Sequence, residues 1–190
     1  MERAPDYQPF YCEENVWRLC QHPRLAASQG LVALITGQPQ AQRPSRCALF
    51  HQRLAAHPGA AVLWDFHVVL FARAPEQEWQ AWDLDSDLGA PLPAAAYLAA
   101  TFGDQASLPQ RWRPVVRLIE AARYVAGLRS DRSHMRDRYG RWLQPPPPWP
   151  PPGGGGEHNL DRLLDPADGL LGPVADLDGL RGRLGLGPGA

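Results

Sequence analysis

The run AAVLWDFHVVLFA at residues 60–72 constrains the fold more than any other part of the sequence. It is apolar and rich in valine and aromatic residues, which favours a strand buried in a sheet over a helix. The segment APEQE (74–78) then supplies a turn, and WQAWDLD (79–85) alternates apolar and polar side chains. Together they predict an antiparallel hairpin centred on Pro75, with residues 60–72 as a central strand.

This hairpin brings one histidine and one aspartate together. With the turn centred on Pro75, His67 faces Asp83 on the same side of the sheet, with Cβ atoms about 4.5–5.5 Å apart. A shift of the register by two residues keeps the pair as diagonal neighbours. A shift by one places them on opposite faces and destroys the partnership.

The remaining patterns mix helix and strand, which predicts an α+β fold. A helix is expected over 13–21, because Val16, Leu19 and Cys20 have helical spacing and Pro23 ends the pattern. Further segments are predicted as strands at 31–35 and 114–119, and as helices at about 47–55, 94–100 and 120–128.

The length of 190 residues fits one domain better than two. Within it, the proline and glycine run at 145–156 cannot form a helix or a central strand, so it is predicted to be a surface strap or a linker. The glycine-rich end, from about residue 180 to 190, is expected to fray.

Charge and apolar patterning argue against two classes of partner. The 19 basic and 20 acidic side chains give a net charge of -1, which lacks the positive surplus that phosphate backbones require. The apolar runs fall short of the roughly 20 residues needed to cross a bilayer, and the first residues do not resemble a secretory signal. The sequence therefore predicts a cytoplasmic protein that binds neither nucleic acid nor membrane.

The cysteines and histidines indicate neither a disulfide framework nor a metal site. Cys12, Cys20 and Cys47 are odd in number and form no CxxC pair. The six histidines form no HxxxH or HxH pair, so no metal is predicted. Reduced thiols are expected, and one of them is a candidate nucleophile.

Three residues have the chemistry of a thiol triad: Cys12 just before a helix, His67 on a buried strand and Asp83 on its neighbour. His67 would act as base and then as acid, and Asp83 would fix its tautomer. Other interpretations stay open from spacing alone. Cys12 could be a small buried apolar residue, His67 a core histidine, and Asp85 or Asp65 the partner of His67.

Five strings along the chain, taken together, resemble the protein N-terminal glutamine amidohydrolase family. They are YCEENVW (11–17), WDFHVVL (64–70), WDLD (82–85), SDRSHM (130–135) and PPPPWP (145–150). The family signature is WDYHV, and this chain has Phe66 in place of the tyrosine. Between these strings, and after Pro152, the resemblance is thin.

The resemblance implies a monomeric, papain-like or transglutaminase-like fold, with an antiparallel sheet and an N-terminal helix that bears the nucleophile. It carries the triad onto Cys12, His67 and Asp83. It also implies hydrolysis of the side-chain amide of an N-terminal glutamine in a protein or peptide, with no metal or organic cofactor.

Restriction to a free N-terminus requires an acceptor for the α-ammonium group of the substrate. Glu13, Glu14 and Asp65 are candidates only because they lie close to Cys12 or His67 in the sequence. Two alternatives to the amidohydrolase remain. One is a thiol peptidase or acyltransferase of the same fold, and the other is a noncatalytic module that presents its proline-rich segment.

Overall fold

The computed structural model describes residues 5–40, 45–103 and 105–187. Its longer helices are α1 (Cys12–Leu19), α2 (Ala94–Phe102), α3 (Ala121–Gly127), α4 (Leu160–Leu164) and α5 (Leu177–Arg183). The strands are β1 (Gln29–Thr36), β2 (Cys47–Leu49), β3 (Val62–Trp64), β4 (His67–Arg73), β5 (Gln80–Trp82), β6 (Leu92–Pro93), β7 (Val115–Glu120) and β8 (Val174–Ala175).

The helices and strands form a mixed architecture in which the helices pack around one large antiparallel sheet. Six strands lie in the order β6-β5-β4-β1-β7-β8, and β2 pairs with β3 in a separate ribbon. Strand β1 is central, because Ile35 pairs with His67 of β4 on one side and with Val116 of β7 on the other. The α+β class predicted from the sequence is confirmed.

Helices cover both faces of the sheet, which explains why the interiors of β1 (31–35) and β4 (68–72) are apolar at every position. On one face, Ala33 and Val69 pack with residues of α2 and α5. On the other, Val32 and Val68 pack with residues of α1, α3 and α4. A strand buried on both faces needs apolar residues at every position rather than at alternate ones.

Three predicted elements are wrong in extent or type. The returning strand of the hairpin is shorter than 79–85, because β5 is Gln80–Trp82 and Asp83 lies just after it. Residues 60–72 are not one strand, because the chain bends after Trp64 and only His67–Arg73 joins the large sheet. The expected helix at about 47–55 is absent, and Cys47–Leu49 is a strand paired with Val62–Trp64. Cross-strand pairing with the first half of the apolar run outweighs the short helical pattern.

The predicted fraying from about residue 180 is also corrected. Helix α5 extends to Arg183, and Leu180 within it and Leu184 just after it are buried in the core beside the sheet. Asp176 caps the helix by accepting a hydrogen bond from the Gly179 N–H at 2.9 Å. These contacts outweigh the low helix propensity of the glycines; residues 188–190 of that prediction lie outside the described residues.

None of the helices in the described part of the chain has the length and apolar composition of a bilayer-spanning segment.

The contact between β1 and α3 depends on the absence of a side chain at Gly30. A Cβ atom there would lie 2.6 Å from the Ala121 Cβ. We therefore expect Gly30→Ala to lower the free energy of unfolding by about 1–3 kcal/mol, measured by urea denaturation. The control is Gly182→Ala in α5, where an added Cβ has no atom within 4 Å and stability should hold or rise. Equal stability for wild type and Gly30→Ala would contradict the close-packing argument.

Candidate active site

Cys12 is the first residue of α1, and this helix packs against β4. Its side chain is buried, and it lies against the backbone of Val68, the residue after His67. Burial, and then the charge of Glu13, raise the pKa of the Cys12 thiol well above its usual value, while the Val68 hydrogen bond opposes them. The thiolate therefore needs a positive partner beyond the helix dipole.

His67 is fully buried at the first position of β4, and its two ring nitrogens have different surroundings. Nε2 lies 2.9 Å from Asp83 Oδ1, and the Trp64 ring stacks on the imidazole at 4.9 Å between centroids. Nδ1 has no hydrogen-bond partner within the described ranges. Burial acts to lower the pKa of His67, but the charge and hydrogen bond of Asp83 outweigh it and raise that pKa.

Asp83 is held by hydrogen bonds to both carboxylate oxygens. Oδ1 accepts from the Asp85 N–H at 3.0 Å, and Oδ2 accepts from Gln52 Nε2 at 3.0 Å and the Tyr97 hydroxyl at 2.9 Å. Burial acts to raise the pKa of Asp83, but His67 and these donors lower it overall. An ionised Asp83 thus stabilises a protonated His67.

The predicted register of the hairpin is wrong by two residues. Leu70 pairs with Trp82 rather than with Gln80, so His67 is not directly opposite Asp83. The two side chains are instead diagonal neighbours on the same face, and they still meet. Nothing in the sequence indicated Gln52 or Tyr97, because they reach Asp83 from a loop and from α2.

The alternative partners of His67 have other contacts. The Asp85 carboxylate accepts a 2.6 Å hydrogen bond from the Tyr7 hydroxyl, and burial raises the pKa of Asp85. Asp65 is two-thirds exposed and pairs with Arg46 at 2.8 Å.

His67, Asp83 and Asp85 offer ligand atoms within 4.8 Å of one another, which is close enough for the three side chains to hold a metal ion. A metal bound through His67 Nε2 would have to replace its hydrogen bond to Asp83.

Glu14 points to a different part of the fold. Its buried carboxylate accepts two hydrogen bonds of 2.7 Å from Arg132 and one of 3.0 Å from Trp149 Nε1. Arg132 also donates to the carbonyl oxygens of Pro147 and Trp149. The proline run therefore packs on the domain, and both oxygens of Glu14 already accept hydrogen bonds from the protein.

Glu13 differs from Glu14 in both position and partners. Its carboxylate is fully buried, and Oε2 lies 3.9 Å from Cys12 Sγ. Oε1 lies 3.2 Å from His134 Nε2, but no donor among the described residues is aligned to form a hydrogen bond with it. Of the three predicted substrate-binding residues, Glu13 alone contacts the thiol and keeps an oxygen available.

A cavity of about 490 Å³ lies away from these residues, beside the start of α5. Its walls include Gln38, Gln110, Pro114 and Asp178, and none of the predicted site residues lines it.

Comparison with known proteins gives a consistent result. A family model described as N-terminal glutamine amidase matches residues 7–182. That range contains Cys12, His67 and Asp83.

Named relatives cover much of the chain. Proteins called protein N-terminal glutamine amidohydrolase are 32% identical to it in Arabidopsis thaliana over 143 residues, in Bos taurus over 144 and in Homo sapiens over 144. The matches cover 72%, 73% and 73% of this chain, and 63%, 66% and 67% of those proteins. The chain thus spans about two thirds of the length of these curated relatives.

The Glu14 contacts predict a large loss of stability on removal of Arg132. We expect Arg132→Ala to lower the free energy of unfolding by about 3 kcal/mol, because a buried carboxylate loses its charged partner. Urea denaturation measures this. Arg46→Ala is the matched control, since it breaks an exposed pair with Asp65 and should change stability little. Similar losses of stability in both variants would contradict the argument that the buried Arg132–Glu14 pair stabilises the fold more than the exposed Arg46–Asp65 pair does.

The His67–Asp83 pair predicts a pH dependence. The raised pKa of His67 gives stability that is present below about pH 6.5 and lost as the pH rises through the raised value. The lowered pKa of Asp83 gives stability that is present above about pH 4 and lost as the pH falls through the lowered value. Asp83→Asn should therefore destabilise most, by about 3 kcal/mol, between about pH 4 and 6.5.

Urea unfolding of wild type and Asp83→Asn from acid to alkaline pH measures this difference, with the exposed variant Asp65→Asn as control. If the difference in free energy of unfolding between wild type and Asp83→Asn grows as the pH rises above neutrality, the pH dependence has the opposite sign. That result would rule out a charged His67–Asp83 pair.

Proposed function

We propose that this chain, which belongs to the N-terminal glutamine amidase family, hydrolyses the side-chain amide of an N-terminal glutamine to glutamate and releases ammonia. The substrates are proteins or peptides with a free N-terminal glutamine. The observation that carries the proposal is the buried His67 on β4, the strand against which the Cys12 helix packs: its Nε2 lies 2.9 Å from Asp83 Oδ1, and its Nδ1 has no partner among the described residues.

In the first half of the reaction, His67 Nδ1 takes the thiol proton and the Cys12 sulfur attacks the δ-carbon of the glutamine. The tetrahedral intermediate carries an oxyanion, for which the N–H groups of the first turn of α1 are suitable donors. The imidazolium then protonates the amide nitrogen, the C–N bond breaks, and ammonia leaves. Cys12 is left as a thioester.

In the second half, His67 removes a proton from water, which attacks the same carbon. The C–S bond breaks, the sulfur regains a proton, and the product leaves as glutamate. The raised pKa of His67 suits this exchange, because Asp83 stabilises the imidazolium that forms in each half.

Glu13 is our choice among the predicted substrate-binding residues. It is buried beside the thiol with Oε1 available, whereas Glu14 is occupied by Arg132 and Asp65 is exposed with Arg46. A carboxylate at this position can accept hydrogen bonds from the α-ammonium of the substrate. Asparagine is one methylene shorter, so its amide carbon would fall short of the sulfur.

Further properties belong to the same proposal. The Cys12 helix packed on an antiparallel sheet that carries His67 is consistent with a papain-like or transglutaminase-like fold and a single catalytic domain. The free cysteines Cys12, Cys20 and Cys47 suit the reducing cytoplasm. We propose a monomer that uses no cofactor, because thiol, imidazole and carboxylate supply the nucleophile and the proton transfers.

Mass spectrometry of peptides tests the chemistry and the specificity together. We expect conversion of a peptide with free N-terminal glutamine, and none for N-terminal asparagine, acetylated glutamine or internal glutamine. Cys12→Ala should lose at least about 10⁴-fold in turnover, because no nucleophile remains.

Cys20→Ala is the control, because Cys20 follows the last residue of α1 and lies at the opposite end of the helix from Cys12. Cleavage of peptide bonds would favour the peptidase alternative. No conversion by the folded wild type would refute the proposed activity.

A further inference from the structure

Glu13 places an unusual charge next to the nucleophile. Its carboxylate is fully buried, Oε2 is 3.9 Å from Cys12 Sγ, and Oε1 has no aligned donor among the described residues. Buried carboxylates are ordinarily paired and hydrogen-bonded, as Glu14 is with Arg132. Among the described residues, both oxygens of Glu14 thus have aligned donors, whereas Oε1 of Glu13 has none.

The groups that face the thiol add to this effect. From α1 it meets the Glu13 carboxylate, and from the segment after β5 it meets the charges of Asp83 and Asp85. From β4 the thiol meets the backbone of Val68, which is the residue that follows His67. Asp83 is balanced by His67, and Asp85 accepts from the Tyr7 hydroxyl and interacts with the positive charges of His67 and Arg53. Among the described residues, the carboxylate next to the sulfur that lacks a permanent cation is therefore that of Glu13.

The neighbouring ring can supply such a cation only when it is protonated. His134 Nε2 lies 3.2 Å from Glu13 Oε1, and the ring packs between Phe66 at 6.2 Å and His158 at 5.7 Å. His158 in turn pairs with Asp131 at 3.1 Å. Although it is close, Nε2 is not aligned to donate a hydrogen bond to Oε1, which leaves that oxygen open to a positively charged ligand.

We propose that the α-ammonium of the substrate is the missing cation, and that its binding to Glu13 allows the Cys12 thiol to ionise. This inference rests on the proposed function, and it assigns the substrate a part in activating the enzyme. Recognition of a free N-terminus would then act on the chemical step and not only on affinity.

The covalent geometry of glutamine fits this arrangement. Four bonds join the α-nitrogen to the δ-carbon, and together they span at most about 5 Å. Glu13 Oε2 and Cys12 Sγ are 3.9 Å apart, so one glutamine can place its ammonium on the carboxylate and its amide carbon at the sulfur. A peptide without the amine leaves the Glu13 charge unbalanced beside the developing thiolate. At about 4 Å and an intermediate dielectric, that imbalance is large enough for about a 100-fold effect or more.

The test compares two peptides that differ in one group. One begins with glutamine, and the other begins with a glutaramyl group, which is the same side chain and amide with hydrogen in place of the α-amine. For the wild type we expect kcat to be at least about 100-fold higher with the glutamine peptide. For Glu13→Gln we expect that preference to fall below about tenfold, with a higher kcat on the glutaramyl peptide than the wild type has.

A second readout needs no turnover. The rate at which iodoacetamide alkylates Cys12 in the ligand-free protein should rise with pH at a lower midpoint in Glu13→Gln than in wild type, because an opposing anion is gone. Asp65→Asn removes the same charge at an exposed position and should leave both readouts unchanged.

The outcomes separate this inference from the proposed function. Conversion of the glutamine peptide by the wild type supports the activity whatever the ratio. If wild-type kcat is equal for the two peptides and only KM differs, the ammonium serves affinity alone and the inference is overturned. An equal loss of both activities in folded Glu13→Gln would also overturn it. The wild-type comparison decides the matter even where Glu13→Gln does not fold.

Discussion

The hydrogen bond between His67 and Asp83 is the interaction on which the candidate site depends. Both side chains are buried, so each charge is stable only with its partner and further donors. Those donors come from three separate parts of the chain, namely Gln52, Tyr97 and the Asp85 backbone. Sheet, loop and α2 must therefore all be in place before the imidazole is oriented.

Arginines hold the irregular segments on this framework. Arg117 is buried in β7 and donates to the carbonyl oxygens of Leu163, Asp165, Leu170 and Gly172. Arg132 does the same for the proline run while it pairs with Glu14. Segments rich in proline and glycine cannot satisfy their carbonyls by helix or sheet pairing, and a guanidinium with five donors can do so from one point.

Local patterns predicted the elements better than their pairings. Helix α1 and the strands β1 and β7 follow directly from apolar spacing. The partnership of His67 with Asp83 was predicted although the register was wrong, because a shift of two residues preserves the face. The strand at Cys47–Leu49 was missed, because its pairing with Val62–Trp64 joins residues with no shared local signal.

The sequence by itself determined the α+β class, the family motifs and the three residue types of a thiol site. Only the tertiary structure distinguishes the surroundings of Glu13, Glu14 and Asp65, since burial and partners depend on contacts across the whole chain. Glu13 and Glu14 are adjacent and chemically identical, yet one faces the Cys12 thiol and the other Arg132. Successive residues of a helix point in different directions, so what surrounds each is fixed by the elements packed against that helix.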